Sequence, residues 1–190
     1  MNKNFLGDAL DHWKGSLLGR LEQRGLGVDI HVVPMLTRVG WNKQFLTLYA
    51  DLLHRRHDQV LLADEVFESR NRESYFAKVE WTGDLFLDPD TGLGQRRGHQ
   101  HVVAADLRQL LDGGDEDRII MVYQHAWRTS NPHGLIKRIA REVEAHALSM
   151  VSSQVEMVVF CRDKAKTDRL LDALTIWLEC APRARVLAIR

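Results

Sequence analysis

The acidic turn after a short apolar segment is the part of this sequence best suited to chemistry. Leu85 to Leu87 are followed at once by Asp88, Pro89 and Asp90, and Gly92 comes two residues later. Carboxylates can accept hydrogen bonds or bind a metal ion, the proline fixes φ, and the glycine permits positive φ. The segment therefore predicts a rigid loop that presents acids at the carboxyl end of a buried strand.

Other polar residues also follow predicted strands. His125 comes after the apolar run 119–123, and Asp64 follows the short apolar run 60–63, which fits either a strand or the start of a helix. In a parallel sheet the carboxyl ends of the strands share one edge, where ligands bind. We therefore expect Asp88, Asp90 and His125 to be the candidate catalytic residues.

A helix predicted from Asp8 to about Arg24 has an unusual second face. Its apolar residues Leu10, Trp13, Leu17 and Leu21 recur at spacings of three and four. The opposite face carries Asp8, His12, Gly15 and Gly19. Because glycine inside a helix costs about 1 kcal/mol relative to alanine, we expect either a tightly packed strand or a ligand to approach the backbone there.

Two basic segments could contact a polyanion. Arg96 and Arg97 follow the acidic turn, while Arg70 and Arg72 precede two aromatic residues. Arginine suits phosphate recognition and aromatic rings can stack on bases, so nucleic acid is one expected partner. The alternative is a solvated surface, since the formal net charge of the chain is zero.

The elements that must hold these residues alternate along the chain. Predicted strands at 28–33, 85–87, 119–123, 155–160 and 185–189 are separated by predicted helices, the clearest at 8–24, 42–57, 104–111 and 164–178. A further helix opens at Pro132 and buries Ile136, Ala140, Val143 and Ala147. This alternation predicts an α/β fold: one domain over 1–190, a three-layer Rossmann-like sandwich whose mainly parallel sheet has helices on both faces.

Composition narrows the class of protein further. The chain has 190 residues, 45% of them hydrophobic, and only two cysteines, which we expect to be reduced core residues. We find neither a signal-peptide pattern nor an apolar run long enough for a membrane span. The sequence therefore predicts a cytoplasmic protein without membrane contact.

The Asp88-Pro89 turn resembles the Asp-Pro-Pro-Tyr loop of adenine-N6 methyltransferases, in the branch that contains a ribosomal-RNA methyltransferase and three-Cys-motif partner proteins. Members of this branch can carry an N-terminal Ala-Asp-x-x-Lys-His pattern, which Asp8 and His12 match. The resemblance implies S-adenosylmethionine as cofactor, facing Asp8, His12 and Asp64, with Asp88 accepting hydrogen bonds from a target amino group. Asp90 and Thr91 depart from the loop, and Pro34 to Thr37 replace a glycine-rich turn.

Two alternatives stay open. A nuclease or phosphatase would use Asp88 and Asp90 to bind Mg²⁺, as the Asp-x-Asp loop of haloacid-dehalogenase-type phosphatases does, with His99 and His101 as further candidate ligands. Asp84 would not join them, because it lies at the far end of the strand, about 13 Å away. The other alternative is an inactive module that kept the fold and binds a partner protein.

Overall fold

The structure, a computed structural model, describes residues 6–27, 29–37, 41–95, 98, 100–125, 132–152, 155–178 and 184–189. The helices within these ranges are α1 Ala9–Gln23, α2 Lys43–Leu52, α3 Arg72–Ala77, α4 Ala104–Asp112, α5 Pro132–Glu142 and α6 Lys164–Leu178. The strands are β1 His31–Val33, β2 Leu85–Leu87, β3 Gly92–Leu93, β4 His101–Val102, β5 Ile119–His125, β6 His146–Ser152, β7 Val155–Cys161 and β8 Ala184–Ile189. The predicted α/β class is confirmed.

The main sheet is mixed. Its six strands follow the order β1-β2-β5-β7-β6-β8, and β3 pairs with β4 in a separate small sheet. Strands β1, β2 and β5 are parallel, whereas β7 runs antiparallel to β5 and to β6, and β8 runs antiparallel to β6. The prediction of a mainly parallel sheet is therefore right for the first half of the sheet and wrong for the second.

A hairpin explains this departure. Only two residues separate the end of β6 at Ser152 from the start of β7 at Val155, which suits a hairpin and is far too short for a parallel crossover. The predicted helix after Pro132 ends at Glu142, and Ala147 lies in β6. Glu144 has φ 55°, a left-handed conformation that a continuing helix does not allow.

Alternate strand residues contribute to two hydrophobic clusters. Val32 and Phe86 belong to a cluster that includes Leu18 of α1, Tyr49 of α2 and Leu170 of α6. The neighbouring strand residues belong to a second cluster, with residues of α3, α4 and α5: Val33, Leu87, Tyr75, Leu107 and Ile136. Since successive strand side chains point to opposite faces, α1 and α2 lie on the face of the sheet that Phe86 occupies.

Capping side chains define where two of these helices begin. The Asp8 carboxylate accepts hydrogen bonds from the amides of Leu10 and Asp11 at the start of α1. At the start of α6, the Asp163 carboxylate accepts a hydrogen bond from the amide of Lys166 at 2.8 Å. In the part of the chain that the structure describes, no helix combines the length and apolar character needed to cross a membrane.

Candidate functional site

The carboxyl ends of β1 and β2 form a topological switch point. Val32 forms a parallel bridge with Val60 on one side and pairs with Phe86 of β2 on the other. The chain therefore winds outward from β1 to Val60 and then returns to the opposite side of β1. In open α/β sheets, ligands bind at the carboxyl ends of strands where the winding reverses in this way.

Asp88 lies at this switch point, immediately after β2, and is 1% exposed. Its two carboxylate oxygens lie 2.9 and 3.0 Å from the Lys14 ammonium. The Tyr49 hydroxyl donates a further hydrogen bond of 2.9 Å to the same carboxylate. Helices α1 and α2 thus each contribute one donor to the acid that ends β2.

Lys14 is enclosed by more than Asp88. Its ammonium also lies 3.0 Å from a carboxylate oxygen of Asp11 and 4.4 Å from the centre of the Tyr123 ring. Burial alone would lower the pKa of Lys14, but the charges of Asp88 and Asp11 outweigh burial and raise it. Burial raises the pKa of Asp11, against the opposing effect of Lys14. The ammonium is therefore held protonated in an enclosed site.

Asp90 connects the acidic turn to the segment after β1. It accepts a hydrogen bond of 2.7 Å from the Thr37 hydroxyl, so one oxygen of the second acid is used to join the two loops. Met35, fully buried in the segment after β1, has φ 47°. A left-handed conformation costs a non-glycine residue about 1 kcal/mol or more, and such strain concentrates at functional sites.

The rest of the acidic turn is fixed by β4 and β5. Gly92 has φ 97°, and a Cβ there would lie 2.2 Å from the side-chain oxygen of Gln124. The same oxygen accepts a hydrogen bond of 2.6 Å from the amide of Leu93. The Thr91 hydroxyl donates to the carbonyl of Gln100 at 2.8 Å and lies 2.6 Å from Nδ1 of His101. The turn is consequently pre-shaped, as the Pro89 and Gly92 pattern predicts.

The predicted cofactor residues have separate surroundings. Asp8 caps its own helix, because it is the extended residue that precedes the first helical turn. His12 is exposed, and Asp64 is exposed in the turn that follows the Val60 bridge. Gly15 contacts the backbone of α2 instead of a strand or ligand, since a Cβ there would lie 2.0 Å from the Leu52 carbonyl oxygen.

The basic residues differ from the expected surface patch. Arg72 is buried in an ion pair with Asp106 and donates to the His101 carbonyl at 2.9 Å, so the prediction that it grips a polyanion is wrong. Arg70 is exposed and pairs with Glu68. Arg96 and Arg97, like His99, lie outside the described residues.

His125 and Asp84 mark opposite ends of the parallel strands. His125 is the last residue of β5, in register with Val155. Asp84 lies at the opposite end of β2 from Asp88, as expected. There its carboxylate accepts a hydrogen bond from the amide of Ile119 and lies 3.3 Å from the Lys166 ammonium. Among the residues that the structure describes, no three His, Cys, Asp or Glu side chains are placed to share a metal ion.

The helical pattern of α1 contains a further indication of this site. Lys14 belongs to the buried stripe of α1 together with Leu17, Leu18 and Leu21. A charged residue in an apolar stripe at helical spacing needs a buried partner, and Asp11 stands one turn earlier. The helical pattern could thus have identified the pair, although not its contact with Asp88.

Comparisons with known proteins assign no function to this site. No family model matches the chain, and neither the curated proteins nor the solved structures gave a match.

Proposed function

We propose that this chain is an S-adenosylmethionine-dependent methyltransferase-type domain, with a three-layer Rossmann-like architecture, that acts on an amino group in nucleic acid. The observation that carries the proposal is the Asp88-Pro89 turn at the switch point between β1 and β2. This is the position at which the fold class binds ligands, and the motif there is the one that resembles the adenine-N6 methyltransferase loop. The left-handed conformation of Met35, in the segment that follows β1, supports a functional role for this end of the sheet.

The residues present are compatible with a cofactor at this edge. His12 and Asp64 are both exposed, and could hold the polar parts of S-adenosylmethionine, whose chemical contribution is an electrophilic methyl group. The Asp88 carboxylate is an acceptor on a fixed turn, suited to orient the amino group of a target base. Its placement against α1 agrees with the implied contribution of the N-terminal helix to the site.

Calorimetric titration with S-adenosylmethionine tests the proposal. We expect one saturable binding event, weakened at least tenfold by His12→Ala or Asp64→Asn. Glu80→Gln, at an exposed residue before the amino end of β2, is the matched control and should bind as the wild type does. Absence of heat at millimolar cofactor would contradict the proposal. With total RNA or denatured DNA as acceptor, transfer of a labelled methyl group tests the reaction itself.

A second candidate, an interaction module without catalysis, is favoured by one observation. Both oxygens of Asp88 are already bound by Lys14 and Tyr49 in a buried network, as expected of an acid that stabilises the fold. In that case neither cofactor binding nor methyl transfer would be detected, and affinity capture followed by reconstitution with the purified partner would give a stable complex.

A further inference from the structure

The Lys14 ammonium occupies the position that a target amino group would need. It donates to both oxygens of Asp88, at 2.9 and 3.0 Å, and a nucleobase amino group is likewise an N–H donor. Because Asp88 is 1% exposed, an incoming donor cannot simply add to the carboxylate. It must replace a donor already there.

Lys14 can release Asp88 without leaving its own charge unpaired. The Asp11 carboxylate lies 3.0 Å from the ammonium, and its other oxygen is held at 2.9 Å by the amide of Gly7. The Tyr123 ring lies beside the same ammonium. If Lys14 released Asp88, it would therefore keep one carboxylate and one aromatic face, which lowers the cost of the exchange.

Tyr49 does not offer the same route. Its hydroxyl is fully buried and donates to Asp88 from the core side of α2, where the Leu46 and Ala50 side chains are also buried. Lys14 is attached by a flexible four-carbon chain, whereas the tyrosine ring is fixed by close packing. Of the two donors, the lysine is the one that can move aside.

We infer that Lys14 stands in for the ligand's amino group, so that a ligand carrying a primary amino group reaches Asp88 by exchange with Lys14, which is then held by Asp11. The inference rests on the proposed role of Asp88 and makes Lys14 a positioning residue. It also restricts the ligand class to donors, since the group that replaces Lys14 at the Asp88 carboxylate must donate a hydrogen bond to it.

The test uses n-propylammonium chloride, which reproduces the lysine side chain beyond Cβ. In the wild type labelled with ¹⁵N-lysine, the buried Lys14 ammonium should give a resonance identified by its loss in Lys14→Ala. We expect this resonance to shift in a saturable way with propylammonium and to remain unchanged with n-propanol or tetramethylammonium, which lack a donor N–H on a cation. An Asp11→Asn variant should need at least tenfold more amine for the same shift.

Lys14→Ala provides a second arm. Propylammonium should raise its melting temperature more than equal KCl, and the double variant Lys14→Ala, Asp88→Asn should lose that increase. If Lys14→Ala does not fold, the amine titrations of the wild type and of Asp11→Asn still test whether the amine displaces Lys14 from Asp88. A Lys14 resonance that stays constant up to molar amine would overturn the inference and make Lys14–Asp88 a fixed structural pair.

These titrations contain no S-adenosylmethionine, so they can fail independently of the proposed function. Cofactor binding without amine exchange would mean that the target contacts a group other than Asp88, which overturns the inference alone. Amine exchange without cofactor binding would support the inference as a site for amino ligands while contradicting the methyltransferase proposal.

Discussion

Gly15→Ala is the substitution that most sharply probes how α1 is seated on α2. A Cβ at this position would lie 2.0 Å from the carbonyl oxygen of Leu52, the last residue of α2. An ordinary contact is at least 3.4 Å, so the two helices would have to separate by about 1.4 Å there. Overpacking of this kind costs about 1–3 kcal/mol, whereas alanine gains about 1 kcal/mol of helix propensity. Because the clash involves backbone atoms of α2, we expect a cost at the upper end of the overpacking range. The net loss in the free energy of unfolding is then about 2 kcal/mol.

Gly19→Ala is the matched control, because no atom lies within 4 Å of the Cβ it would add in the same helix. It should gain about 1 kcal/mol. For a domain of this size, each kcal/mol changes the melting temperature by about 2–4 °C, so the two variants should differ by about 6–12 °C in opposite directions from the wild type. Urea unfolding and thermal melting followed by circular dichroism measure this. Equal stability of the two variants would refute the close α1–α2 contact that brings Lys14 and Tyr49 to the same carboxylate.

Three further predictions concern other parts of the chain. Glu144→Gly should stabilise the protein by about 1 kcal/mol, because the exposed Glu144 has φ 55° after α5. Arg138→Gly, at an exposed position inside α5, should destabilise it by about as much. The same sign for both variants in urea unfolding would contradict this. Burial raises the pKa of Glu156 above its value in the unfolded chain, which is about 4.3. The free energy of unfolding therefore falls as the pH rises from that unfolded pKa through the folded pKa. Glu156→Gln should be more stable than the wild type at about pH 8 but not at about pH 4. A pH-independent difference would exclude ionisation as the cause. Tyr49→Phe should lower the free energy of unfolding by about 1.5–3 kcal/mol, because it removes one donor to a charged acceptor. Asp88→Asn should lower it more, by about 3–5 kcal/mol, because it leaves the Lys14 ammonium with one carboxylate. The reverse order of the two losses would contradict the hydrogen-bond network around Asp88.

Elements with a strong local pattern were predictable from the sequence. The predicted helix 164–178 coincides with α6, since Asp163 caps it and Leu170 and Leu174 recur at helical spacing. The strand before Asp88 and the start of β5 at Ile119 also agree. The secondary structure of these segments is predicted correctly because short-range capping and apolar periodicity determine it.

Long-range pairing was not predictable in the same way. Strand β6 has apolar residues that continue the spacing of α5, and only three residues, among them the left-handed Glu144, separate the two. For the site, the position of Asp88 follows from the strand that precedes it, but its contact with Lys14 spans 74 residues of sequence. Such a contact depends on how α1 packs across the sheet, which no local pattern determines.

Chemical-shift mapping with S-adenosylmethionine shows both whether the ligand binds and where on the chain it binds. We expect saturable amide shifts concentrated at His12 and Asp64, at Leu36 and Thr37, and in the turn from Asp88 to Gly92. Amides at the opposite end of the parallel strands, such as His31 and Asp84, should be unaffected. Shifts confined to that opposite end, or no shifts at millimolar cofactor, would contradict the assignment of the β1–β2 switch point as the functional site.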